Sequence, residues 1–241
     1  MKITDIVVNR INRFKSGYVF TYDDFDIPVD KSEALKKALS RLVASGKIVR
    51  LSKGQFYKPE ISDFGTLRPS EYQVVKDMLE DEQKIIGYLT GVSALNKLGL
   101  TTQLSNTIQI GTNIDRKPMK RGKYNIRFIQ QKNTITKDNI YLLQILDSIR
   151  FINRIPDSDI TKSCIMIIAL IKDLFETDRI LIAKYALKYS PGTRALTGAI
   201  LDNVSKTEIT TQLLASLNPV TVYVFNIRNE VLANKQKWRI S

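Results

Sequence analysis

The 241-residue sequence contains no histidine and one cysteine, Cys164. Without histidine the chain lacks the side chain most used for proton transfer near neutral pH and the commonest metal ligand. A lone cysteine closes no intrachain disulfide and builds no thiolate zinc site; within the apolar run Cys164–Leu170 it reads as core filling. Long hydrophobic runs are also missing. The longest, Cys164 to Ile171, is too short to span a bilayer and reads as a buried helix. Met1–Asn9 carries Lys2 and Asp5 and no uncharged apolar core, so a secretory signal and a membrane association are not expected, and a cytoplasmic location is. No phosphate-cradling glycine loop, Walker motif or serine elbow occurs.

What the chain has in excess is positive charge. Lys and Arg number 37 against 24 Asp and Glu, a formal net charge of +13. Such a surplus calls for a polyanionic partner, nucleic acid first, although basic proteins without one are common.

The first sixty residues resolve into elements. Ile3, Ile6, Val7, Ile11 and Phe14 share one face of a helix, and Gly17 is placed to end it. Tyr18–Phe20 reads as an extended link. Thr21 and Asp24 form a capping box for a short helix around Tyr22–Phe25. After Pro28, Asp30 is read as the cap and Glu33 as the box partner of a third helix, Lys31 to Ser45. Its apolar face is Leu35, Ala38, Leu39, Leu42 and Val43; opposite lie Glu33, Lys36, Lys37, Ser40 and Arg41. Gly46 stops it. Lys47–Leu51, the loop Ser52-Lys53-Gly54 and Gln55–Lys58 then read as a two-stranded hairpin closed by Pro59. Helix, short helix, amphipathic helix and hairpin make a winged helix-turn-helix.

The expected fold is therefore α+β: a winged helix-turn-helix over residues 1–60, a linker over 61–69, and a larger, mainly helical C-terminal domain over 70–241. Within that domain Ser70 caps a helix running to Leu79. The pattern further predicts a helix near Val92–Leu98, strands near Thr107–Gly111 and Lys123–Ile129, helices over Ile140–Ile152, Ile160–Phe175, Ile180–Lys188, Arg194–Val204 and Glu208–Leu217, and a last strand over Val220–Ile227.

Charge and helix face coincide in one place. Between Lys31 and Lys58 lie eight Lys and Arg against the single acid Glu33, a local net charge of +7. In helix-turn-helix geometry the recognition helix enters the major groove and the wing lies beside neighbouring phosphates. The DNA-binding residues expected are Lys31, Lys36, Lys37, Ser40, Arg41, Arg50 and Lys53. Arg41 and Lys37 have the chemistry to read guanine N7 and O6, Ser40 to reach a base or phosphate, and Lys53 to meet a phosphate or the minor groove. The competing reading is a solvated face used for protein contact. A second basic run, Arg116, Lys117, Lys120, Arg121, Lys123 and Arg127, fits an extended DNA footprint, RNA binding, or simply a solvated hairpin. The pairs Asp24/Asp26 and Asp157/Asp159 have the spacing of a phosphoryl-transfer metal site, but both fall where acids cap or flank helix starts. No catalytic residue, metal site or cofactor is expected.

Two segments carry a family resemblance. Leu39-Ser-Arg-Leu-Val, Gly46-Lys-Ile-Val-Arg and Lys53-Gly-Gln-Phe-Tyr-Lys-Pro59 form the first; Thr90-Gly-Val-Ser-Ala-Leu-Asn-Lys-Leu-Gly-Leu-Thr-Thr-Gln103, followed by the strand Ile108–Gly111, forms the second. Together they resemble the abortive-infection type IV antitoxins and their DUF6088 relatives over about the first 130 residues. The resemblance implies an autorepressor that binds repeats in its own promoter, with a possible dimer on DNA. It further implies a C-terminal region that opposes a nucleotidyltransferase-like toxin without forming a stable complex. By resemblance, Lys36, Lys37, Ser40, Arg41 and Lys53 take recognition-helix and wing positions. Ser93, Asn96 and Gln103 fall in the second motif with no role assigned. The alternatives are a transcriptional regulator whose C-terminal domain senses a ligand or dimerises, and a nucleic-acid-processing enzyme targeted by the winged helix.

Overall fold

Ile3, Ile6, Val7 and Ile11 recur at helical spacing, and they form α1 (Ile3–Arg13) with Val7 and Ile11 buried. The computed structural model describes residues 2–63, 65–82, 84–205 and 207–241. It separates into two units: Met1–Asp77 with Met119–Asn125, and Met78–Pro118 with Ile126–Ser241.

In the first unit Gly17, at φ +76°, reverses the chain after α1, and its N–H donates to Lys58 O at 2.8 Å. Val19–Phe20 is not a mere link but a strand, β1. Thr21 then caps a 3-10 turn over Tyr22–Phe25. The Asp23 N–H donates to Thr21 Oγ1 at 3.3 Å, and the Thr21 N–H donates to Asp24 Oδ2 at 2.8 Å, the reciprocal box read from the sequence. The entry to the next helix differs from expectation. A 3-10 turn, Val29–Lys31, runs directly into α2 (Ser32–Ala44), Lys31 stands at the N-cap, and no side chain caps it. Asp30 therefore does not cap, and the Glu33 carboxylate is taken by Lys36 at 2.7 Å instead. The tighter turn already bonds Lys31 N–H to Pro28 O at 2.9 Å, so the helix starts without a side-chain acceptor.

Strands β2 (Val49–Ser52) and β3 (Gln55–Tyr57) form the wing hairpin, with Gly54 at φ +76° in its turn. They pair antiparallel with β1 in the order β1-β3-β2, which sets Phe20 opposite Phe56. Phe20 stacks on Phe56 with ring centroids 6.0 Å apart and meets Phe25 edge-on at 5.7 Å. Leu35, Ala38, Leu39 and Leu42 of α2 pack into the same cluster with Val7, Ile11 and Ile48. At about 1.5–3 kcal/mol per large buried side chain, this seam is the main force fixing α2. The segment expected as a linker holds a small hairpin, β4 (Glu60–Ser62) with β5 (Gly65–Leu67). A kinked helix, α3 (Glu71–Leu79), follows; the Gln73 N–H donates to Ser70 Oγ at its start.

The second unit begins with the two-residue strands β6 (Glu80–Asp81) and β7 (Lys84–Ile85), then β8 (Gly87–Thr90) and α4 (Val92–Lys97). β9 (Thr107–Thr112) pairs antiparallel with β8. β10 (Met119–Arg121) and the first residues of β11 (Tyr124–Gln130) make a hairpin tip that belongs to the first unit. The rest of β11 lies beside β9. Helices α5 (Ile140–Arg150), α6 (Ile160–Lys172), α7 (Glu176–Ala186), α8 (Pro191–Val204) and α9 (Thr211–Ala215) complete it. Their buried faces share one core through Ile145, Ile149, Ile167, Ile182, Leu196 and Ile200. Cys164 is fully buried there, and burial pushes its thiol up to about 12. Among the described residues no helix is long and apolar enough to cross a membrane.

Val220–Ile227 is not the expected strand. It forms one isolated bridge, Tyr223 with Ile240, while Val220, Val222 and Val224 stay exposed. Its pairing is confined to the last residues of the chain, Tyr223 N–H to Arg239 O at 2.7 Å and Ser241 N–H to Tyr223 O at 3.0 Å, so propensity alone does not make a ladder. The chain instead folds back so that Trp238 is fully buried against α8, its indole N–H donating to Asp202 Oδ2 at 2.9 Å. Gly198 leaves the room: a Cβ there would overlap the Trp238 ring. Gly198→Ala is expected to cost about 1–3 kcal/mol through overpacking, read as a lowered midpoint in thermal unfolding.

Candidate nucleic-acid interface

The period of α2 sorts its residues onto two faces. Leu35, Ala38, Leu39 and Leu42 are buried; Lys36, Lys37, Ser40 and Arg41 are exposed on the opposite side. Lys31 at its start, Arg50 on β2 and Lys53 at the wing turn are exposed as well. The structure thus presents every sequence-predicted DNA-binding residue to solvent on α2 or the wing of one unit. Among the described residues Lys37, Arg41 and Lys53 make no ion pair. Lys36 pairs with Glu33 at 2.7 Å, and its ammonium is held above the ordinary lysine value by that carboxylate. The pair is solvent-exposed and weakly held, so a phosphate can take the carboxylate's place. The Arg50 guanidinium lies over the Phe56 ring, 5.5 Å from its centroid.

Lys58 behaves differently from its neighbours in the basic run. Its Nζ donates to Asn12 O at 3.1 Å and Phe14 O at 2.9 Å, satisfying carbonyls at the end of α1. It serves the fold, its ammonium tied down at the end of α1 while keeping its charge.

The second basic run also divides. Arg121 is buried and forks onto the Asp77 carboxylate, Nη1 to Oδ1 at 2.6 Å and Nη2 to Oδ2 at 2.8 Å, with Nη1 also donating to Val74 O at 2.6 Å. The sequence gives no sign of this, since its charge is indistinguishable from that of its neighbours. Gly122, at φ +56°, lets the hairpin tip approach the wing: a Cβ there would stand 2.7 Å from Leu51 O. A cavity of about 220 Å³ results, lined in part by Arg50 and Leu51 of the wing, Arg68, Lys123 and Tyr124. Lys120 and Lys123 are exposed on the tip. A stretch remote in sequence thereby adds cations beside the wing.

The acidic pairs are engaged in local structure. Asp24 accepts from the Thr21 N–H and, at 3.2 Å, from the Tyr18 hydroxyl. Asp159 caps α6 by accepting from Thr161 N–H at 2.6 Å and Lys162 N–H at 3.2 Å, and these bonds hold its carboxyl below the ordinary aspartate value. The Gln103 amide donates to Asp157, and the Asn96 amide donates to Gln103 O at 2.7 Å. Asn96 thus fastens the end of its own motif, and Gln103 ties that motif to the segment before α6.

The second unit holds a buried polar network that the sequence reading missed. Asp147, buried within α5, accepts from Tyr88 Oη at 2.7 Å, Thr90 Oγ1 at 2.7 Å and Tyr189 Oη at 3.0 Å. Gln131 Nε2 donates to the Tyr88 and Tyr189 hydroxyls at 2.9 and 2.8 Å. One signal is present in the sequence: an acid among Leu142, Leu143, Ile145, Leu146 and Ile149, where helical periodicity predicts core. Burial raises the Asp147 carboxyl above its ordinary value, outweighing the three hydroxyl donors.

These features define a two-unit α+β protein whose N-terminal part is a winged helix-turn-helix with an exposed basic face. Residues 6–177 match DUF6088, a family of unknown function, and the chain belongs to that family. The structure is similar to the crystal structure of the RV2827C protein from Mycobacterium tuberculosis, with a TM-score of 0.63 at 14% identity, covering 100% of this chain and 91% of that one. At that identity the likeness shows the fold. No curated protein matches the sequence.

Two outcomes are expected. Arg121→Ala removes the donor to the Val74 carbonyl and the fork onto the half-exposed Asp77 carboxylate and is expected to cost about 1–2 kcal/mol, measured by chemical denaturation. Asp147 binds its proton more tightly folded than unfolded, so the stability it contributes is complete below the ordinary value of 3.8 and is lost as pH rises through the higher folded value. Asp147→Asn removes that dependence. Its unfolding temperature relative to the unmodified protein is expected to climb as pH rises from roughly 4 to roughly 8, followed by thermal melts across that range.

Proposed function

We propose that this protein is a DNA-binding autorepressor that acts as the antitoxin of a type IV-like toxin–antitoxin module. The observation that carries the DNA part is the outward basic face of α2, with Lys37 and Arg41 free of ion pairs among the described residues and Arg50 and Lys53 exposed on the adjoining wing. A face used for protein contact would be expected to carry large apolar or aromatic anchors; the exposed residues of α2 are Glu33, Ala34, Lys36, Lys37, Ser40, Arg41 and Ala44, none of them a large apolar side chain. Its role is binding rather than catalysis. Lysine and arginine contacts to phosphates supply most of the affinity, and Arg41 and Lys37 supply base choice in the major groove. Lys120 and Lys123 extend the phosphate contacts beside the wing. The antitoxin part rests on the family resemblance carried by the winged segment and by Thr90–Gln103. The toxin is expected to be nucleotidyltransferase-like and not held in a stable complex.

Gel shifts on the protein's own upstream region test the reading. Lys36→Ala, Lys37→Ala and Arg41→Ala combined are expected to abolish specific binding with native circular dichroism, and to flatten any residual salt dependence of the binding constant by about 2–3 in log–log slope. Unchanged binding removes α2 from the interface. Co-expression with the neighbouring open reading frame tests the antitoxin half: the triple variant is expected to lose repression while still rescuing growth. A failure to rescue by the unmodified protein would leave a regulator without antitoxin activity.

A further inference from the structure

We propose that the second unit contains a pocket for a phosphate group, distinct from the basic face of α2. The pocket encloses about 390 Å³ and brings together Lys132 after β11, Arg150 at the end of α5, Lys188 before α8, and Arg194 in the first turns of α8. The residues lining it include four cations and no carboxylate. Among the described residues none of the four makes an ion pair. Lys188 Nζ reaches only a carbonyl, Lys132 O, at 3.4 Å. Arg194 Nε is buried and has no hydrogen-bond partner among the described residues.

Each fact has a cost that an anion removes. Like charges around one cavity repel, here with Lys132, Arg150 and Lys188 at the solvent-exposed rim and Arg194 half-buried. A buried guanidinium N–H without an acceptor forfeits its hydration. The adjacent acid does not answer this need: both Asp147 oxygens are occupied by the Tyr88, Thr90 and Tyr189 hydroxyls, and Tyr189 lies between that network and the pocket wall. Two guanidiniums offer forked donors suited to phosphate oxygens, and two ammoniums add charge. Ser190 stands at the N-cap of α8 without making a side-chain cap bond, so positive helix potential adds to the cationic wall. The volume lies at the lower end of small-ligand sites, the size for a phosphate or diphosphate and a small appended group. Such a group is carried by a free metabolite or by a nucleic-acid strand end; its recognition chemistry is the same.

Isothermal titration with inorganic phosphate and pyrophosphate, at fixed ionic strength and against sulfate-free chloride buffer, tests the pocket on the full chain. A 5′-phosphorylated oligonucleotide and its unphosphorylated twin form the second arm. Saturable binding is expected, weakened at least about tenfold by Arg150→Gln with Arg194→Gln, and also by Lys188→Gln, an exposed position where folding is not at stake. The Lys36/Lys37/Arg41 alanine variant is expected to bind these probes as the unmodified protein does, which separates failure here from failure of the DNA reading. A preference for the phosphorylated oligonucleotide over free phosphate would identify a strand end as the source. Absence of binding, or binding untouched by Lys188→Gln, overturns the proposal.

Discussion

The first unit depends on the burial of one helical stripe against one aromatic cluster. Leu35, Ala38, Leu39 and Leu42 reach the core formed by Phe20, Phe25 and Phe56, and the rotation of α2 about its axis is thereby decided. A turn of about 100° per residue leaves Lys36, Lys37, Ser40 and Arg41 no place but the water side. Turning the helix to bury any of these cations would expose leucine and desolvate charge at once, both unfavourable. The pairing of β1 with β3 sets Phe20 against Phe56 and so anchors the wing to the same cluster. The basic face of α2 and the wing are positioned by a single hydrophobic decision.

That dependence explains which features the sequence discloses. Periodicity is a local record of a burial preference, so α1, α2 and the helices of the second unit can be read from it, as can the Thr21–Asp24 box. Features that depend on distant partners leave no such record. Arg121 sits in a basic run yet turns inward, because Asp77, far away in sequence, and Val74 O accept its fork. Val220–Ile227 has the composition of a strand but finds only the last three residues of the chain to pair with, too few for a ladder. The two-residue strands β6 and β7 are too short to show alternation. For the candidate interface, exposure followed from the helix pattern, whereas the contribution of Lys120 and Lys123 beside the wing required the chain to return from residue 119.

The second unit has a different logic. Its helices fill a conventional apolar core, but Asp147, Tyr88, Thr90, Tyr189 and Gln131 embed a hydrogen-bonded cluster within it. Satisfied networks of this kind fix one arrangement of the surrounding elements, since any shift breaks several bonds in a medium where each is costly to lose. Here the cluster links β8, α5 and the segment before α8, and it borders the cationic pocket through Tyr189 and Gln131.

Trp238 has a practical consequence. It is the sole tryptophan of the chain, and it is enclosed in the helical unit against α8. Indole emission therefore reports on that unit alone, while the phenylalanine- and tyrosine-built winged module is silent at the same wavelengths. Comparing emission with far-ultraviolet dichroism across a denaturant series would reveal directly whether the two halves melt together or in succession.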